Sequence, residues 1–165
     1  REDFVLRLDG NQGYTVKGFL RMADRLEKAG IRVELFEQPL PKGDLRGLRE
    51  VKRHSPVPII LDETVFTADD LGRAVELDLC HGVNVKVAKS GLQGSSHIVK
   101  LAKQAGLSLM IGCMTETMVG LSAAICLALG TGAFDFVDLD GVYFLRHRNR
   151  YGDIRIDGAR FVIAG

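Results

Sequence analysis

Residues 33–62, VELFEQPLPKGDLRGLREVKRHSPVPIILD, carry the pattern that decides the fold. A mostly apolar run, Val33 to Phe36, ends on Glu37. Asp44 can cap a short helix that turns Leu45, Leu48 and Val51 inward, and a second apolar run, Pro58 to Leu61, ends on Asp62. The same unit recurs on both sides. Six runs end in polar residues: RLD (Asp9), LFE (Glu37), ILD (Asp62), NVK (Lys86), MIGCMTE (Cys113 to Glu116) and FVDLD (Asp138, Asp140). Steps of 28, 25 and 24 residues separate Asp9, Glu37, Asp62 and Lys86, a near-constant period that marks repeated strand–helix units.

The remaining elements follow the same periodicity. Phe4 to Leu8 reads as a strand, and the helix after it places Val16, Phe19, Leu20, Ala23, Leu26 and Ala29 on one face before Gly30. Thr67 can cap a helix from Ala68, which leads to the strand Val83 to Val87. A helix carrying Ile98, Leu101 and Ala102 ends at Gly106, before the strand Leu107 to Ile111. The apolar helix Thr117 to Leu129 and the strand Phe134 to Val137 complete six units. Such alternation with short connections predicts parallel strands and right-handed crossovers. Asp153 to Ile163 alternates instead around Asp157-Gly158, as a hairpin does.

Composition narrows the class. Lys and Arg (22) nearly balance Asp and Glu (21), so neither a polyanionic partner nor a basic membrane face is indicated. The longest apolar stretch, Met118 to Leu129, is interrupted by Gly120 and Ser122 and falls short of the roughly 18 residues of a membrane span. Cys80, Cys113 and Cys126 are widely spaced and read as reduced core thiols of a cytoplasmic protein. The chain begins with Arg1 almost directly on a strand, the expected look of a piece of a longer polypeptide. Eight units of this period need roughly 200 residues to close a barrel. Six units therefore predict either an open doubly wound sheet or a β/α barrel without its first two units.

Polar residues at the carboxyl ends of parallel strands are where a β/α barrel keeps its chemistry. Alone, each of Asp9, Glu37 and Asp62 would be a strand-end or capping acid. Converging from three consecutive strands, they repel one another unless a cation neutralises them, and an all-oxygen set with open positions favours Mg²⁺. Lys86 leaves a tightly packed apolar strand, where desolvation and a nearby cation pull a lysine pKa down towards that of a general base. The alternative is a surface lysine with its stem laid on the strand. A metal beside such a base suggests proton abstraction next to a carboxylate. His54, His81, His97 and His147 lack metal-ligand spacing, and no phosphate-binding glycine loop is present.

Asp9-Gly-Asn-Gln-Gly, Glu37-Gln-Pro, Asp62-Glu-Thr, Asn84-Val-Lys86-Val-Ala-Lys89-Ser-Gly91 and Gly112-Cys-Met-Thr-Glu116-Thr together resemble the barrel motifs of the enolase superfamily, in its muconate-lactonizing-enzyme subgroup. The resemblance implies the α/β (β/α)8 TIM-type barrel, here with about six units, the third to the eighth strand. Residues 1–150 would be the incomplete barrel, and 151–165 a hairpin returning to a capping domain outside the chain. It also implies Asp9, Glu37 and Asp62 as Mg²⁺ ligands and Lys86 as one of two acid/base lysines, the other upstream of Arg1. Leu107 to Thr117 lacks the histidine of the mandelate-racemase branch.

Asp138 and Asp140, at i and i+2, are expected on one face of the last strand. They are similar to the motif with which dipeptide epimerases hold a substrate ammonium. Glu116 and Cys113 would line the same pocket. The implied reaction is Mg²⁺-dependent epimerisation of dipeptides of the L-Ala-D/L-Glu type. The alternatives are an N-acylamino-acid racemase, an o-succinylbenzoate synthase, a cycloisomerase or an inactive barrel fragment. The implied partner is a small dipeptide, with neither nucleic acid nor membrane, and a homo-oligomer is left open.

Overall fold

Six parallel strands pair in the order in which the chain makes them: β1 (Leu6–Asp9), β2 (Val33–Glu37), β3 (Ile59–Leu61), β4 (Gly82–Lys86), β5 (Ser108–Gly112) and β6 (Phe136–Asp138). The structure is a computed structural model that describes residues 5–146 and 150–163. A doubly wound sheet reverses its strand order partway. This one does not, so every crossover advances one strand in one direction and the sheet curls into a partial barrel. Arg7 on β1 donates to the carbonyl of Val137 on β6 at 3.3 Å, so the first and last strands stand within reach of each other. Phe4, the expected start of β1, lies outside the described residues.

Helices α1 (Val16–Lys28), α2 (Leu45–His54), α3 (Ala68–Glu76), α4 (Val87–Gln104) and α5 (Met118–Thr131) follow the first five strands. Local chemistry sets their starts. The Thr15 hydroxyl accepts the Gly18 amide, Asp44 the Gly47 amide, and Thr67 forms a capping box with Asp70. The main core fills the layer between helices and sheet, from Phe19 and Ala23 through Leu48, Val51, Ile59 and Leu61 to Leu121 and Ile125. A smaller cluster of Leu35, Ile60 and Met110, with Phe136 against it, occupies the concave face. Residues two positions further along those strands therefore open onto the carboxyl-end mouth on that same inner face.

Two expectations need correction, and a third gains a strand. Val87 does not end β4 but begins α4, which is interrupted at Gly91 (φ 67°, ψ 173°), where a residue without Cβ is at ease. The tail carries β7 (Arg150–Tyr151), β8 (Ile154–Asp157) and β9 (Arg160–Ile163): β8 and β9 form the expected hairpin, and β7 extends it to a three-stranded antiparallel sheet, which buries Ile154 in the main core. Tyr143 anchors it by donating its hydroxyl to the Gly158 carbonyl at 2.7 Å. Of the three free cysteines only Cys80 is buried, its thiol pushed up to about 12 by burial; Cys113 is half-buried and Cys126 exposed.

At the opposite end of the barrel, the Ile59 amide donates to His81 Nδ1 at 3.0 Å, a contact that only a neutral ring can accept. Burial, and then the charge of Lys52, hold the His81 pKa below the usual histidine value against the opposing charge of Asp78. As pH falls through the ordinary histidine range, the unfolded chain takes up a proton that the folded chain resists, so stability falls with pH. The melting temperature of the parent relative to that of His81→Gln, which keeps an acceptor, is expected to decline between pH 7 and 5. Parallel slopes for both proteins would remove His81 as the cause.

Candidate active site

The carboxyl ends of the strands bring the inner-face residues into one mouth. Asp9 pairs across from Glu37, and Lys86, Gly112 and Asp138 lie in one row across β4, β5 and β6. Glu37 is 4% exposed, and its Oε1 accepts the Asn84 amide nitrogen at 2.7 Å. Burial, followed by the charges of Asp62 and Asp9, raises its pKa to about 7, against the lowering effects of Asn84 and Lys86. Gly112 makes room for this clamp. A Cβ there would lie 2.5 Å from Asn84 Oδ1.

Asp62 is bridged by two ammonium groups. Lys86 Nζ donates to its Oδ2 at 2.7 Å and Lys89 Nζ to its Oδ1 at 2.8 Å. Burial works to raise the Asp62 pKa, but the two lysines outweigh it and hold the carboxyl below the usual range. For Lys86 the expectation of a lowered pKa is not met. Burial lowers it, but the Asp62 hydrogen bond and the charges of Asp62, Glu37 and Asp9 outweigh burial and hold it above the ordinary lysine value. The lysine that burial pulls down is Lys89.

Asp9 is exposed and turned to its own loop, where it accepts the Asn11 backbone amide and the Asn11 side-chain amide, both at 2.8 Å. With Asp9 on Asn11 and Asp62 on the lysines, no three His, Cys, Asp or Glu side chains among the described residues are gathered closely enough to hold a metal ion. The donor chemistry nevertheless fits a hard divalent cation. A buried glutamate is repelled by two neighbouring aspartates, and Asn84 Oδ1 and Glu63 Oε2 are buried without hydrogen-bond partners among the described residues.

On the far side of Lys86 lies a second acidic group. Asp138 ends β6, but Asp140 does not share its strand face as expected. Leu139 turns inward to 5% exposure and the chain enters a short 3-10 helix, Asp140–Phe144. The two carboxylates still feel each other. Burial and then Asp140 raise the Asp138 pKa, against Lys86 and Arg7. Cys113 Sγ accepts the Gly141 amide at 3.3 Å, and burial pushes its thiol up, helped by Asp140, Asp138 and Glu116, so these four residues share one corner. Glu116 accepts the Met114 amide at 3.2 Å. Of the histidines, His54 bonds its own helix and His81 the barrel floor, while His147 lies outside the described residues.

Sequence reasoning missed two residues that organise the mouth. Gln38, fully buried with φ 31°, donates to the Leu40 carbonyl and Thr64 hydroxyl and accepts the Asp62 and Thr64 amides, tying β2 to the loop after β3. Lys89 lies in the Asn84-to-Gly91 motif, where the resemblance implies no role for it. Its signal was its spacing, one helical turn beyond Lys86.

A family profile described as "Enolase C-terminal domain-like" matches residues 1–162. The L-Ala-D/L-Glu epimerase of Thermotoga maritima is 40% identical over 153 residues, 93% of this chain and 44% of that protein. A substrate-liganded L-Ala-D/L-Glu epimerase from Bacillus subtilis superposes with a TM-score of 0.92 at 33% identity, over 97% of this chain and 45% of that one. The dipeptide epimerase of Enterococcus faecalis complexed with Mg and L-Leu-L-Tyr gives 0.87 at 33% identity, over 93% and 44%. The chain thus spans just under half the length of these relatives.

Proposed function

The chain belongs to the enolase C-terminal domain-like family, and from that premise we propose that it is part of a Mg²⁺-dependent dipeptide epimerase. The observation that supports this most is Lys86, 13% exposed at the inner mouth between buried Glu37 and Asp62 on one side and Asp138 on the other. Asp9, Glu37 and Asp62 would hold Mg²⁺. The bound ion supplies positive charge against the negative charge that develops on a substrate carboxylate when the neighbouring carbon loses its proton.

The residues of the chain then divide the work. Lys86, as the free amine, takes the α-proton of the carboxyl-terminal residue onto Nζ while the C–H electron pair passes into the carboxylate; as the ammonium it returns a proton. Asn84 fixes the Glu37 carboxylate, and Gln38 fixes the loop that carries Asp62. Asp138 and Asp140 receive the amino-terminal ammonium of the dipeptide, which needs anionic acceptors once desolvated. Glu116 and Cys113 line that end. Inversion needs a second proton-transfer group on the opposite face, which we assign to a part of the protein outside residues 1–165. Residues 151–165 would lead towards a capping domain.

The test uses the full-length protein with Mg²⁺ and a panel of dipeptides and N-acylated amino acids, epimerisation being followed by polarimetry. Dipeptides are expected to react. Asp138→Asn with Asp140→Asn should lower kcat/KM for dipeptides about a hundredfold, the scale of a charge partner lost from an ammonium that binding desolvates, and spare N-acylated amino acids. Equal losses on both classes would end the ammonium assignment.

A further inference from the structure

The Lys89 side chain is 2% exposed and lies in the first turn of α4. Two effects oppose an ammonium there: burial disfavours the charge, and the amino-terminal end of a helix dipole repels a cation. Its surroundings answer both. Nζ lies 2.8 Å from Asp62 Oδ1, 2.9 Å from the Asp62 and Val65 carbonyls and 3.0 Å from the Asn84 carbonyl, with the Phe66 ring 5.2 Å away. An ammonium has three N–H groups. With four oxygens around it and almost no exposure, Lys89 has no donor left to present to a substrate. Lys86 differs, with one protein acceptor among the described residues and an outlet to the mouth.

The acceptors are not arbitrary. Lys89 holds the backbone of the residue whose side chain pairs with Lys86 (Asp62) and of the residue whose side chain clamps Glu37 (Asn84). The Ser90 hydroxyl donates to the Phe66 carbonyl at 2.8 Å, and the helix then breaks at Gly91, so this single turn is a separate clasp on the loop after β3.

We propose that Lys89 is the positioning residue of this site: it takes no part in proton transfer, but fixes the Asp62 carboxylate and the ends of β3 and β4, and so sets the affinity for the divalent cation. This rests on the reading of the site as part of a Mg²⁺-dependent epimerase. Without Lys89, Asp62 Oδ1 loses its partner and the carboxylate is free to close on Lys86 with both oxygens.

The experiment compares Lys89→Gln and Lys86→Gln with the parent in the full-length protein. Gln at position 89 keeps N–H donors for the carbonyls and removes the charge. Mg²⁺ alone is titrated by calorimetry, and epimerisation is then measured across Mg²⁺ concentrations. Lys89→Gln should bind Mg²⁺ about 10- to 100-fold more weakly, the usual effect of losing a partner that orients a metal ligand, and excess Mg²⁺ should restore its rate. Lys86→Gln should bind Mg²⁺ no more weakly than the parent and stay inactive at every concentration. Affinity within twofold of the parent, or tighter, overturns the proposal. So does a rate that excess Mg²⁺ does not restore, or a Lys89→Gln chain that fails to fold, which would place Lys89 in service of the fold alone. A parent that binds no Mg²⁺ or epimerises no dipeptide sinks the underlying reading and this inference together. A normal parent with an indifferent Lys89→Gln sinks only the inference.

Discussion

Lys86→Ala in the full-length protein should reduce epimerisation about 10³- to 10⁴-fold, the upper range for loss of a positioned acid/base group. The side chain ends in a mostly buried mouth, 2.7 Å from Asp62 Oδ2, and among the described residues the other lysine there, Lys89, is surrounded by protein oxygens. Asp62, Glu37 and Asp9 hold its pKa up, and a cation held by those same carboxylates would work against them. Solvent deuterium incorporation into each epimer reports the two faces separately. With Lys86 gone, exchange should persist from one epimer only, catalysed by the companion group. Undiminished epimerisation by Lys86→Ala would remove it from the mechanism.

Glu37→Gln should both weaken Mg²⁺ binding severely and stabilise the metal-free protein at neutral and alkaline pH. The pKa of Glu37 stands at about 7 in the folded protein against 4.5 for an unperturbed glutamate. Below the unperturbed value the carboxyl is protonated in both folded and unfolded chains. Between the two values the folded chain keeps a proton that the unfolded chain releases, so stability is lost as pH rises, by roughly 3 kcal/mol once pH exceeds the folded value. Without Mg²⁺ the melting temperature of the parent relative to that of Glu37→Gln is therefore expected to fall between pH 5 and 8. The neutral amide of the variant carries no charge to desolvate. Differential scanning calorimetry at several pH values decides it, and an equal fall in both proteins would show that Glu37 is not the strained carboxylate.

What could be read in the sequence was what is set locally. Asp44 and Thr67 cap their helices because an Asn, Asp, Ser or Thr side chain needs only the amide two or three residues on. The polar run ends fell on strand ends because buried parallel strands are apolar until they emerge. Asp140 was misplaced because alternation alone cannot register that Leu139, apolar and free to bury, turns the chain out of the strand. The two-residue strand Arg150–Tyr151 is too short to show a period. Lys89 and Gln38 were unreadable for another reason. Their partners at Asp62, Thr64 and Val65 lie 24 to 27 residues away, so their roles exist only once neighbouring units are packed.

The sequential strand order also dictates a history for the site. Every parallel pairing joins consecutive strands, so each requires closing a loop of about one unit, and short loops close early. The Asp9–Glu37 pairing needs only the first two strands, Lys89 reaches Asp62 once the fourth unit is laid down, and Asp138 must await the sixth. The Asp9, Glu37 and Asp62 end of the mouth thus draws on three consecutive units, whereas the Asp138 end needs the sixth. Arg7 to Val137, a contact across 130 residues, is the late closure that brings the two halves of the mouth to face each other.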